Sequence, residues 1–107
     1  MPYQIRLDEP AATDDFDALP LRVQEYCVRQ LRILAEDPTA LSSRSRFPYI
    51  EACQIFQFGC ILAQEVFDMC AVFQYGQDEE TIFVLGIGVT HPSKDSLTAG
   101  MDFPVLD

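Results

Sequence analysis

The 107-residue chain is short of positive charge: 7 Lys and Arg stand against 17 Asp and Glu, for a formal net charge of -10. This argues against a general nucleic-acid binder, because counterion release needs a concentrated basic surface that surplus carboxylates oppose. Tryptophan is absent, and there is a single histidine, His91. No run approaches the ~18–20 consecutive apolar residues of a transmembrane helix. The start, MPYQIRLDEP, lacks a basic stretch followed by an apolar one, so no secretory signal is visible and a cytoplasmic location with no membrane partner is expected. Reduced thiols follow from that compartment. Cys27, Cys53, Cys60 and Cys70 include no CxxC pair, and the only histidine, His91, lies far along the chain. No metal site is therefore expected, no cofactor motif is present, and the cysteines read as small core residues.

Apolar residues make up 49% of the chain, too many for a disordered acidic polypeptide. At this length folding buries roughly 65% of the surface the unfolded chain exposes, enough for one core without a staple. The expected organisation is a single domain over residues 1–91 and a tail over 92–107. Tyr3, Ile5 and Leu7 alternate with polar residues as in a half-buried strand. Ala12, Phe16 and Leu19 then recur at helical spacing, with Pro10 suited to the first turn. Asp14, Asp15 and Asp17 are expected on that helix's solvated side. A second helix, Leu21 to Ala35, lines up Val23, Cys27, Leu31 and Leu34, opposite Arg22, Glu25, Arg29 and Arg32, and Asp37-Pro38 stops it.

A polar loop is expected over residues 39–48, TALSSRSRFP, carrying Arg44 and Arg46. Tyr49–Ile61, Glu65–Tyr75 and Thr81–Val89 read as three strands joined by short connections, hence an antiparallel meander. Gly76-Gln77-Asp78-Glu79 is a turn signal, with Asp78, Glu79 and Glu80 expected in solvent, whereas residues 62–65 contain neither Gly nor Pro. The tail carries Leu97, Met101, Phe103, Val105 and Leu106, enough apolar groups for part of it to dock on the domain or on a partner. The fold class is α+β: an N-terminal strand, a two-helix hairpin and an antiparallel meander, with the helices on one face of the sheet.

That order resembles the RelE/ParE toxin superfamily. The resemblance is carried by YQIRLDEPAATDDFDALP, VQEYCVRQLRILAEDP and FDMCAVFQYGQDEETIFVLGIGVTH. It implies a toxin of a toxin–antitoxin pair, cleaving mRNA on the ribosome or inhibiting DNA gyrase, and neutralised by a small partner protein. Where family strands carry arginines this chain has Gln54, Gln57, Met69 and Phe73, and only His91 falls where a terminal histidine often sits. His91 is thus the candidate catalytic residue, and Arg44, Arg46 and Lys94 are the candidate phosphate- or partner-binding cations. Attack of a ribose 2′-hydroxyl on phosphate needs a proton acceptor, a cation and a donor to the leaving oxygen. With so few cations, the expected mode is protein–protein contact with an antitoxin-like partner and a target such as gyrase. The alternatives are an active ribosome-dependent endoribonuclease and a non-toxin homodimeric module, so whether the chain is an enzyme stays open.

Overall fold

The computed structural model describes residues 2–41, 43–44, 53–93 and 103–106. Its sheet has the order β1-β5-β4-β3-β2, from strands β1 (Gln4–Arg6), β2 (Ser43–Arg44), β3 (Gln54–Leu62), β4 (Glu65–Tyr75) and β5 (Thr81–Thr90). The meander β3-β4-β5 is antiparallel, as the short connections require, while β1 runs parallel to β5 with Ile5 opposite Ile82. Between β1 and β2 come helices α1 (Pro10–Asp17), α2 (Leu21–Glu36) and α3 (Pro38–Leu41). The two-helix hairpin is therefore present, and the loop expected over 39–48 is corrected at its start. Pro38 ends α2 but opens a short helical turn, because its fixed φ suits a first helical position. The chain then enters β2, where Ser43 and Arg44 pair with Ile55 and Gln54. The expected strand start at Tyr49 lies outside the described residues.

Alternation assigns each strand two faces. Phe56, Phe58 and Cys60 of β3, Phe67, Met69, Ala71 and Phe73 of β4, and Ile82, Val84 and Ile87 of β5 form one buried layer. Against it pack Ala12 of α1, Leu19 of the helix corner, and Val23, Tyr26, Cys27, Leu31 and Leu34 of α2. The α2 stripe follows the spacing in the sequence. Among the described residues Arg22, Glu25, Arg29, Arg32 and Glu36 stay exposed on its far side. Tyr26 and Phe58 meet at 6.4 Å and a 50° tilt across the helix–sheet interface. The chain enters β1 tied to α2, since the Tyr3 amide donates to the Ala35 carbonyl at 2.9 Å.

The turn between β3 and β4 is Ala63–Gln64, with φ of 50° and 66°. Two successive positive φ values suit the right-handed twist of a tight hairpin, and Asn-Gly is the usual sequence for them. Ala-Gln sends no such signal. Between β4 and β5 the Asp78 carboxylate accepts from the Glu80 amide at 3.0 Å, and from the Thr81 amide and hydroxyl at 3.1 and 2.9 Å. Its expected role as a solvated carboxylate is thus incomplete: it ties the turn together, and those donors hold its pKa below the ordinary value.

The tail docks on the domain through residues 103–106. The Ile61 amide donates to the Pro104 carbonyl and the Leu106 amide to the Ile61 carbonyl, each at 2.8 Å, a parallel bridge on the outer edge of β3. Leu106 enters the core, and the Phe103 ring lies so close over Gly59 that a Cβ there would approach it to 2.5 Å. A stretch of otherwise open sheet edge is covered in this way.

Candidate functional site

β5 carries His91 just past its last paired residue, Thr90, which stands opposite Asp68. The turn at Ala63–Gln64 brings the start of β4 beside it. His91 Nδ1 lies 3.1 Å from the Val66 carbonyl oxygen and 3.3 Å from Glu65 Oε1, and the ring meets Phe67 edge-on at 4.9 Å. A carbonyl can only accept, so Nδ1 carries the hydrogen and the neutral ring presents Nε2 as a lone pair. The imidazole is half exposed at 47%. Glu65 has no sequence signal as a partner, since its place beside His91 depends on strand register.

His91 borders a cleft of about 330 Å³ between the α1–α2 corner and the ends of β4 and β5. Leu19, Pro20, Phe67, Ile87 and Val89 form its apolar wall, and Asp15 and His91 supply the polar groups. Asp15 is half-buried, and its Oδ2 accepts the Ile87 amide at 2.9 Å. The expectation of a solvated Asp15 is therefore overturned. β1 ends at Arg6 opposite Phe83, and a bulge in the β4–β5 ladder follows Val72, so the α1 carboxylate meets an edge amide of β5 beyond the reach of β1. A sequence signal existed: Asp15 is three residues after Ala12 and four before Leu19, inside the apolar stripe.

Of the candidate cations only Arg44 falls among the described residues, and it is not beside His91. Arg44 pairs with Gln54, which stands opposite Phe73, so its backbone is about 25 Å from that of His91, counting six residues along the strand and three strand spacings. Arg46 and Lys94 lie outside the described residues. Among the described residues of β3, β4 and β5 there is no Arg or Lys. Met69 and Phe73, read as replacing family cations, are core residues with exposures of 1% and 0%, so their positions face the helices and could not hold a charge. On the opposite face Gln57, Cys70 and Gly88 stand side by side across three strands. Burial raises the pKa of the Cys70 thiol, with the Asp68 carboxylate adding to the shift. Among the described residues no group of three or more His, Cys, Asp or Glu is arranged to hold a metal ion. The site can accept a proton at His91 Nε2, and among the described residues lining its cleft there is no cation for a phosphate.

No sequence family model matches the chain, and no curated protein matches it. Solved structures do. A chain of the toxin–antitoxin complex RelBE2 from Mycobacterium tuberculosis superposes with a TM-score of 0.67 at 16% identity, over 84% of this chain and all of that one. A doubly substituted variant of E. coli toxin RelE in the free state gives 0.57 at 20% identity, over 82% of this chain and 83% of that one. The fold is that of RelE. The intact E. coli RelBE toxin–antitoxin complex agrees, with a TM-score of 0.55 at 17% identity over 84% of this chain and 99% of that one. At such identities the RelE likeness establishes the architecture, and function has to be argued from the residues.

Proposed function

We propose that this chain is a RelE-like component of a toxin–antitoxin pair and that it acts through protein contacts, held by an antitoxin-like partner and directed at a protein target such as gyrase. The single observation carrying the second half is the absence of any cation among the described residues of the central strands. Among the described residues of β3, β4 and β5 only Glu65 and Asp68 are charged, and both are acidic. A surface of that kind repels RNA phosphates and lacks the cation that phosphoryl chemistry requires. Two of the solved relatives are toxin–antitoxin complexes, which supports a protein partner. The test is expression of this chain alone and together with the product of any adjacent small reading frame. Growth arrest relieved by the neighbour, with a stable co-purifying complex, is the expected result. Unaffected growth and no co-purifying neighbour would overturn it.

A second reading has one observation in its favour, the open Nε2 of His91 as a proton acceptor. If the chain cleaves translated mRNA, replacing His91, Arg44 and Arg46 together by Ala abolishes cleavage. Toxicity unchanged in that triple variant excludes the ribonuclease and leaves the protein-contact reading standing.

A further inference from the structure

We propose that the cleft between the α1–α2 corner and the ends of β4 and β5 is a binding pocket for a compact organic cation, a guanidinium or amidinium group on an apolar body. This inference does not depend on the toxin–antitoxin reading. The cleft's volume of about 330 Å³ suits a group of that size.

Three features select for a cation. Asp15 is already oriented, because Oδ2 is held by the Ile87 amide at 2.9 Å, while Oδ1 has no hydrogen-bond partner among the described residues. A guanidinium or amidinium can donate to that free oxygen in a charge-assisted bond. Asp15 also sits in the last turn of α1, where the helix dipole adds negative potential. Secondly, the wall is formed by Leu19, Pro20, Ile87 and Val89 beside the buried Phe67, a surface that takes the apolar body of such a ligand. Thirdly, His91 is held as the Nδ1–H tautomer by the Val66 carbonyl, so its Nε2 can accept a second N–H from the ligand. An anion finds no positive side chain among the described residues lining the cleft. The chain's net charge of -10 concentrates cations around it in general, and this pocket gives one of them a defined seat.

The same chemistry could arrive as an arginine side chain of a protein or as a free small molecule. The experiment is an amide-resolved NMR titration of the full chain with benzamidine and N-acetyl-arginine amide, and with their uncharged counterparts benzamide and N-acetyl-citrulline amide. Saturable shifts centred on the Ile87 and His91 amides are expected with the two cations, at least about tenfold weaker with the neutral analogues. Asp15→Asn, which keeps an oxygen for the Ile87 amide, should weaken cation binding about tenfold. Val89→Phe, which fills the cleft from a half-buried strand position, should abolish the shifts while leaving the remaining spectrum folded. Tighter binding of the arginine compound assigns the site to a protein side chain and tighter binding of benzamidine to a small molecule, and both results support the pocket. Absence of saturable shifts, or equal response to charged and neutral probes, overturns it.

Discussion

Asp15 holds α1 to the edge of β5 by one bond, and its removal leaves the Ile87 amide without that partner. Asp15→Ala should therefore lower unfolding stability by about 1–3 kcal/mol, with Asp15→Asn costing less, as read from urea midpoints. The buried thiols make a second prediction at this scale. Burial pushes Cys27 up to about 12, with Cys60 adding to the shift, and pushes Cys60 itself to about 11, from an ordinary 9.0. Between those values the unfolded chain loses protons that the native chain keeps, so stability falls as pH rises above 9 and is unaffected below it. The slope should reach about 1.4 kcal/mol per pH unit for each thiol in full titration, and Cys27→Ala with Cys60→Ala should flatten it. Native Cys27 and Cys60 should also resist alkylation at neutral pH while half-buried Cys70 reacts faster. Core placement of Cys27 and Cys60 was legible from helical and strand spacing. The partner of Asp15 was not, because hydrogen bonding to an amide 72 residues away has no local pattern.

Elements were legible where hydrophobic period and length agreed, as in α2 and in the two strands of the β4–β5 hairpin. They were not where backbone conformation ran against residue type. Ala63 and Gln64 hold positive φ at a cost that Asn and Gly would reduce, so the double change Ala63→Asn and Gln64→Gly should raise stability by about 1 kcal/mol in denaturant titration. The docked tail is another element that periodicity could not resolve, since a single bridge and one buried side chain make no repeat. Gly59→Val places atoms inside the Phe103 ring position, and should release residues 103–106 from β3. Faster hydrogen exchange at the Ile61 and Leu106 amides, whose bonds form that bridge, is the expected signature.

At the scale of the whole molecule, α+β class, helix hairpin and antiparallel meander follow from element order, and the match to RelE structures bears them out. The order is readable because each amphipathic element has one face to bury, and short connections leave few ways to bury them together. Net charge is equally a property of the chain alone, set before any folding. Strand register is different: a one-residue shift exchanges the two faces of a strand, so composition cannot say which residues of β4 meet solvent. Tertiary structure put Met69 and Phe73 in the core, set Glu65 beside His91, and left Arg44 at the far end of the sheet. The sequence by itself determined the layers and the acidity, because period and charge are local sums. Only the folded chain decided which side chains share a cleft, because that depends on pairings between residues far apart along it.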